Sequence, residues 1–172
     1  MANTNNPKGF NVIDAHLYQP DKIKLDASYA GKEGDFVFRE SAGYGSDTAS
    51  GVILGIQVSA IENVVTKVVE TTGGTAGTSQ IDVITDPNVR FTGQISTFAL
   101  TDPYTTRSGA DCYDVAGSAG AEYIDAAASI NDMVKVVKLS HEYDTGTLSE
   151  VGAYAKCVFA FNQLKHELGV IA

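Results

Sequence analysis

The sequence predicts a mainly β protein with a compact β-barrel or β-sandwich body, jelly-roll-like, an extended N-terminal arm and at most one or two short helices. Three observations support this. Valine, threonine and isoleucine are frequent, and β-branched side chains favour strands over helices. Short apolar runs recur about 8–15 residues apart, separated by segments rich in turn-forming residues. The length of 172 residues suits one domain.

The sequence predicts that residues 1–19 form an extended arm and that residues 20–172 form a single β-rich domain. Residues 3–9 are dense in Asn, Thr, Pro and Gly, which compete with the hydrogen bonds of helices and sheets. Scattered apolar side chains follow at Phe10, Val12, Ile13, Leu17 and Tyr18. Fully extended, the arm would reach ~60 Å, well beyond the ~16 Å radius of gyration of a compact chain of this length. It could therefore cross a neighbouring molecule.

Seven apolar runs predict the strands of the body. They cover residues 36–38, 52–58, 64–69, 81–85, 90–95, 133–139 and 154–161. Pro87 ends the fourth run, because proline forces the preceding residue out of the helical region. Gly93 in the fifth run indicates a bulge or an edge strand. The last run is rich in aromatic and small residues, which suits a strand covered on both faces. Residues 121–131 are compatible with a short helix instead.

The charge of the chain argues against several classes of partner. The formal net charge is −9 and the isoelectric point is about 4.6. A protein that binds nucleic acid or anionic lipid needs a basic face, and no stretch of this sequence supplies one. No apolar run approaches the ~20 residues that span a bilayer, and residues 1–10 lack the apolar region of a signal peptide. We therefore expect a protein made in the cytoplasm, with neither nucleic acid nor a membrane as its partner.

The two cysteines give no metal-binding or redox motif. Cys112 and Cys157 lie far apart, without CxxC or Cys/His spacing. A disulfide between them is compatible with the sequence. The sequence favours the other interpretation, two partly buried thiols in a reducing cytoplasm.

No constellation typical of catalysis or of a cofactor site is found. The histidines His16, His141 and His166 have no Cys, Asp or second His at metal-ligand spacing. Acidic pairs occur in loops, where solvation and turn capping account for them better than glycosidase or calcium-binding chemistry. There is neither a GxSxG elbow nor a P-loop lysine. We expect no enzyme activity, no metal and no cofactor, and no hydrolysis of generic ester, phosphate or glycoside substrates.

Three stretches carry a resemblance to a known family. Residues 1–10 are similar to a Met-Ala-Asn-Thr-Asn-x-Pro-x-Gly-Phe start, and residues 83–91 to a central Asp-Pro-x-x-x-Phe strand. Residues 134–139, 152–156 and 161–168 are similar to a closing pattern, in which a Gly-Ala-Tyr-x-Lys strand leads to Asn-x-x-x-His-x-Leu. Together these patterns resemble the capsid decoration, or cement, proteins of tailed bacteriophages. The remaining residues depart freely from the family, as exposed loops do.

The resemblance implies a structural role. It implies a β-barrel-like body that sits as a symmetric knob on the outer surface of a virion, bound to a lattice of major capsid protein, after synthesis in a bacterial host cytoplasm. It implies no catalytic residues. The expected partners are the major capsid protein and other copies of the chain. A homotrimer is favoured because closed three-fold symmetry suits the three-fold positions of a lattice.

Within this hypothesis the arm grips the capsid, being disordered in the free protein and ordered on the lattice. Its candidate contact residues are Asn3, Thr4, Asn5, Pro7, Gly9, Phe10, Val12 and Ile13. An ordinary frayed terminus is the alternative. Deleting residues 1–19 is then expected to abolish capsid binding and to leave the fold intact.

Self-association is expected near the end of the chain. The candidate residues are Tyr154, Phe159, Phe161, Val170 and Ile171. For the segment 154–161, a place in the protomer core is an equally good interpretation.

Two rival functions remain open. A surface-displayed carbohydrate-binding or adhesin-like β-sandwich could use the eight tyrosines as a sugar platform, although such platforms usually also use tryptophan, which this chain lacks. A small β-barrel enzyme is disfavoured because no catalytic constellation is present.

Overall fold

The computed structural model describes residues 3, 5–26, 28–40, 44–48, 52–70, 73–98, 112–127, 133–140 and 151–162. These residues form the mainly β fold that the sequence predicts, with one 3-10 turn at Ala15–Leu17. In chain order the strands are β1 (Asn11–Val12), β2 (Asp21–Lys24), β3 (Phe36–Arg39), β4 (Gly45–Ser46), β5 (Ile53–Gln57), β6 (Glu62–Asn63), β7 (Ser79–Ile84), β8 (Arg90–Gln94), β9 (Thr97–Phe98), β10 (Asp114–Ala116), β11 (Tyr123–Asp125), β12 (Val134–Leu139), β13 (Gly152–Ala153) and β14 (Lys156–Phe161).

Two antiparallel sheets make up most of the described part of the chain. The smaller contains β1, β8, β14 and β12, in that order. The larger has the order β2, β7, β5, β3, β4, and β6 pairs with the start of β7. A parallel bridge between Leu25 and Gly45 joins the end of β2 to β4. The larger sheet therefore curls until its two edges meet, as in a barrel.

The two sheets share a core dominated by phenylalanine. Phe10, Phe36, Phe91, Phe159 and Phe161 are all buried. The ring centroid of Phe36 lies 5.4 Å from that of Phe91 and 5.7 Å from that of Phe161, both in edge-to-face geometry. Such pairs contribute roughly 0.5–1.5 kcal/mol beyond the burial of their area. This core joins the described residues of both sheets into one packing unit.

A second core fills the inside of the curled sheet. Its buried side chains are Leu25, Tyr29, Val37, Leu54, Ile61, Ile81 and Val83. Successive side chains of a strand point to opposite faces, so Phe36 and Phe38 of β3 reach the shared core while Val37 between them reaches the second. The continuous apolar run at residues 52–58 has the same cause, because both faces of β5 are buried.

Six of the predicted runs contain strands. Residues 36–38 and 81–85 overlap β3 and β7, and residues 52–58, 90–95 and 133–139 contain β5, β8 and β12. The run 154–161 contains β14, whose burial on both faces agrees with the prediction. This strand begins only at Lys156, because Tyr154 lies in a turn with φ of 58°.

The predicted strand at residues 64–69 is wrong. The segment forms the turn and returning arm of a small hairpin that begins at β6, and Val65, Val68 and Val69 are exposed. The side-chain oxygen of Asn63 accepts hydrogen bonds from the backbone N–H groups of Val65 and Thr66, both at 3.0 Å. An asparagine that bonds its own backbone in this way favours a turn over a strand.

Two further local predictions need correction. Gly93 lies neither on an edge strand nor at an irregularity of the pairing, because β8 is flanked by β1 and β14 and pairs with β14 in regular register. The described part of residues 121–131 contains strand β11, not a helix, and residues 128–131 lie outside the described residues. Strand β11 is held by its antiparallel pairing with β10 and by a parallel bridge between Ile124 and Ile95, a long-range contact that local composition does not report.

The N-terminal segment is built into the body instead of projecting from it. Phe10 is 2 % exposed, and Asn11 and Val12 pair with Thr92 and Phe91 of β8. The picture of residues 1–19 as an arm separate from the body therefore does not fit residues 9–13. The physical reason is Phe10, because burying a phenylalanine side chain is worth roughly 1.5–3 kcal/mol.

Both cysteines are buried thiols in this structure. In the part of the chain that the structure describes, no helix is long and apolar enough to cross a membrane.

Candidate docking surface

The N-terminal segment is fixed at its inner end. The N–H of Phe10 donates to the carbonyl of Gly34 at 2.7 Å, and the N–H of Ile13 donates to the carbonyl of Arg90 at 2.8 Å. The Phe10 ring lies edge-to-face on Phe36 at 4.7 Å and on Phe91 at 5.6 Å. Of the candidate contact residues, Gly9 and Phe10 are consequently buried and unable to reach a capsid, while Val12 and Ile13 are half-buried.

The outer end of the segment makes polar contacts with the body. The N–H of Asn6 donates to Gln94 Oε1 at 3.0 Å, and Gln94 Nε2 donates to Asn5 Oδ1 at 2.9 Å. Asn3 Nδ2 donates to the carbonyl of Ala153 at 3.1 Å. Because Gln94 is 4 % exposed, its amide is a buried anchor for an exposed strap. The strap, residues 3–7, keeps Asn5 exposed and Pro7 half-buried, and Thr4 lies outside the described residues.

Two hollows flank the strap. One, of about 450 Å³, includes the side chains of Lys8, Asn11 and Lys156. The other, of about 320 Å³, is lined by the strap residues Asn5 and Pro7 together with Gln94, Ser96, Tyr123 and Tyr154. The first brings two lysines together in a chain of net charge −9, and the second is lined without charged side chains. The strap and the two hollows form a continuous candidate docking surface.

The self-association residues are mostly not available for contact. Phe159 and Phe161 are fully buried in the shared core, so the proposal that they form an interface is wrong for this protomer. Neither side chain can face solvent, because β14 lies between β8 and β12 and both of its faces are covered. Tyr154 is 38 % exposed and beside the strap. Val170 and Ile171 lie outside the described residues.

A pair of buried carboxylates joins two parts of the chain that are far apart in the sequence. Glu122 accepts a hydrogen bond from the N–H of Phe36 at 2.8 Å. Asp35 in return accepts from the N–H of Gly120 at 2.8 and 3.0 Å. Burial raises the pKa of Glu122 to about 8, and the carboxylates of Asp35 and Asp47 raise it as well. Burial also raises the pKa of Asp35.

This carboxylate pair is not part of any metal site that the described residues could form. No group of three or more His, Cys, Asp or Glu side chains that could hold a metal ion occurs among the residues that the structure describes. His16 is exposed in the 3-10 turn, and His141 and His166 lie outside the described residues.

Sequence reasoning missed a second surface, the hairpin at residues 61–70, here called the valine hairpin. Val65, Val68 and Val69 are 77 %, 60 % and 57 % exposed. A groove of about 780 Å³ lies beside the hairpin, with Ile61, Val69 and Glu70 on one side and residues 30–33 and 119–120 among its other walls. The apolar run 64–69 was the signal for this surface, but apolar composition alone does not distinguish a buried strand from an exposed patch.

Comparison with known proteins identifies no relative. No protein-family model matches the chain, and neither a curated protein nor a solved structure gives a significant match.

Proposed function

We propose that this protein is a structural virion protein that binds the outer surface of a phage major-capsid lattice and stabilises it. The proposal is for a non-catalytic clamp, with the strap and its flanking hollows as one contact surface.

One observation carries the proposal. The three stretches that resemble decoration proteins are far apart in the sequence, yet Phe91 of the second contacts a phenylalanine of each of the other two in the shared core. Phe10 of the first stretch lies 5.6 Å from Phe91 of the second, and Phe91 lies 5.0 Å from Phe161 of the third. Strands β8 and β12, from the second and third stretches, also belong to the same four-stranded sheet. The stretches that carry the resemblance therefore pack together in one structural unit, as expected if they carry one shared fold.

The physics of a shell explains why such a unit is useful. Packed genome presses capsomers apart, and a protein that contacts two of them at once resists their separation. A specific contact usually buries ~800 Å² on each partner. A second contact made by the same molecule is intramolecular, so avidity rises by about 10²–10⁴ over one contact. The strap and the rest of the body offer separate surfaces for two such contacts.

Electron microscopy of virions with and without this protein tests the role directly. We expect density on the outer shell that disappears when the gene is deleted, and particles that break at lower temperature or lower salt without it. Identical shells from the two preparations would refute the proposal.

The strap can be tested without disturbing the core. Deletion of residues 1–19 is unsuitable as a test because it removes Phe10 and would destabilise the fold by roughly 3–5 kcal/mol. Deletion of residues 1–6 removes Asn3, Asn5 and Asn6 and keeps Phe10. We expect a folded protein whose binding to capsids falls at least tenfold.

The control for this deletion is Gln19→Ala, at an exposed position beyond β1. It should bind as the unmodified protein does. Unchanged capsid occupancy after deletion of residues 1–6, with an intact thermal transition, would remove the strap from the contact surface.

The proposal includes a homotrimer at three-fold positions of the lattice. Light scattering coupled to size-exclusion chromatography gives the mass of the free protein directly. A mass of three protomers supports this part, whereas a monomer at all concentrations would limit trimer formation to the assembled shell.

A second candidate function is favoured by the uncharged hollow. Asn5 Nδ2 and the hydroxyls of Tyr123 and Tyr154 have no hydrogen-bond partner among the described residues, and all three side chains line the hollow. Aromatic faces beside amide and hydroxyl groups are chemically suited to a neutral sugar. Binding on a glycan array that Tyr154→Ala abolishes would favour a carbohydrate-binding module. No binding at millimolar glycan would leave the capsid as the proposed partner.

A further inference from the structure

The valine hairpin is closed by several hydrogen bonds. The N–H of Asn63 donates to the carbonyl of Val68 at 3.0 Å, and the N–H of Lys67 donates to the carbonyl of Asn63 at 2.9 Å. The N–H of Glu70 donates to the carbonyl of Ile61 at 2.8 Å, which closes the base of the hairpin. Asn63 Nδ2 donates to Glu70 Oε1 at 3.1 Å across it. These hydrogen bonds do not involve the side chains of the three exposed valines.

Exposure of these valines is unfavourable for the isolated chain. Three large apolar side chains stand in solvent on one short hairpin, and removing their surface from water would be favourable. Single exposed apolar side chains are ordinary, but a contiguous exposed cluster usually marks an interaction site. Because the hairpin is preorganised, a partner that covers the valines loses little conformational freedom of this chain.

The groove beside the hairpin specifies the shape of the partner. Small residues, among them Ala30, Gly31, Gly73 and Gly120, form much of its lining and leave depth for incoming side chains. Ile61 and Val69 give it an apolar wall. An extended peptide segment with apolar side chains fits such a surface, whereas a flat sheet face does not.

Charge specifies the partner further. Glu33 and Glu70 line the groove and outnumber its single basic side chain, Lys32. Glu70 is held in its ionised form, because hydrogen bonds from Ser79 and Asn63 lower its pKa. A second copy of this chain, of net charge −9, is repelled from this rim, and a partner segment with a basic side chain is attracted.

We propose that the valine hairpin and its groove bind an extended, apolar segment carrying at least one basic residue, contributed by the major capsid protein. The proposal rests on the proposed function and places a second contact surface on the molecule, distinct from the strap. It gives the body the bivalent attachment that a clamp between two shell subunits needs.

The test compares variants of the whole protein in binding to particles assembled from the major capsid protein of the same virus. Val65→Ser, Val68→Ser and Val69→Ser are combined, because all three side chains are exposed and their loss leaves no cavity. The matched control is Leu17→Ser, an equally exposed aliphatic residue, 69 % exposed, outside the hairpin. We expect the triple variant to bind at least tenfold more weakly, and the control to bind normally. Thermal melts establish that both variants are folded.

Each outcome separates this inference from the proposed function. If the unmodified protein and the triple variant bind particles equally, the capsid role stands and the hairpin proposal is overturned. If the unmodified protein does not bind, both fall. If the substitutions instead turn a free oligomer into monomers in light scattering, the valines contact a second copy, and the inference is overturned. Weaker particle binding by the triple variant at low salt, together with weaker binding by a separate Glu33→Gln variant, supports a partner segment that carries a basic residue.

Discussion

At the scale of single residues, one glycine decides where the N-terminal segment packs. Gly93 lies in β8 opposite Cys157 of β14, and a methyl group on its Cα would overlap the ring of Phe10. The absence of a side chain at this position makes the socket that Phe10 fills. Glycine weakens a strand interior, so its presence here indicates a close approach and not a bulge.

We predict that Gly93→Ala displaces Phe10 and destabilises the fold by roughly 1–3 kcal/mol, the usual cost of overpacking a core. Equilibrium denaturation by urea measures this. In a double-mutant cycle with Phe10→Ala, the second substitution should remove the overlap, so the two effects should be strongly non-additive. Lys24→Ala, at an exposed position of β2 in the other sheet, is the control. Additive effects would show that Gly93 does not serve Phe10.

At the scale of elements, the connection between β10 and β11 is joined to the start of β3 by two reciprocal carboxylate bonds. Glu122 of the connection binds the N–H of Phe36, and Asp35 before β3 binds the N–H of Gly120. Within the described residues, the N–H groups of Phe36 and Gly120 bond to these carboxylates and not to the carbonyl groups of a neighbouring strand. Their cost is desolvation, which raises the pKa of both groups.

The raised pKa of Glu122 predicts that stability falls as pH rises. In the unfolded chain this group titrates near its ordinary value of 4.5, and in the folded chain near 8, so the folded state binds the proton more tightly. The stabilisation is complete below pH 4.5 and is lost as pH rises through about 8. Its size is on the order of a few kcal/mol.

Urea denaturation between pH 5 and pH 9 tests this linkage. Glu122→Gln keeps an oxygen that can accept from Phe36 but carries no charge, so the difference in stability between it and the unmodified protein should change sharply across this range. The exposed Glu33→Gln should leave the slope unchanged. Parallel curves for the unmodified protein and Glu122→Gln would contradict a buried, titrating Glu122.

At the scale of the whole molecule, the net negative charge opposes folding, because like charges repel one another in the folded chain. The chain carries −9, and its described ion pairs Lys22–Asp82 and Lys67–Glu62 are solvent-exposed, so they contribute little. Self-repulsion of the remaining carboxylates therefore outweighs the attraction within these pairs. Salt screens charges beyond ~10 Å at about 0.1 M ionic strength.

We predict that sodium chloride stabilises the free protein. Raising its concentration from about 20 mM to about 300 mM should increase Tm by a few degrees, since about 1 kcal/mol shifts Tm by roughly 2–4 °C in a chain of this size. Differential scanning calorimetry at constant pH is the measurement. A Tm that falls with salt would mean that attractive pairs dominate.

The amino-acid sequence determined the class of the fold and the positions of six of the fourteen described strands, including every described strand of five or more residues. Apolar runs of strand length and the turn-formers between them are local properties, which is why β3, β5, β7, β8, β12 and β14 were predictable. Net charge is likewise a property of composition, and it limited the classes of partner without reference to any contact.

Tertiary structure alone decided which side chains are inside. Phe10 and Phe161 were both candidates for contacts with other molecules, but they are core residues, because partners far away in the sequence surround them. The valines of residues 64–69 were assigned to a buried strand, but they are exposed, because the turn at Asn63 directs the chain away from the sheet. Burial depends on long-range packing, whereas apolar composition does not reveal it, so the two candidate surfaces became visible only in three dimensions.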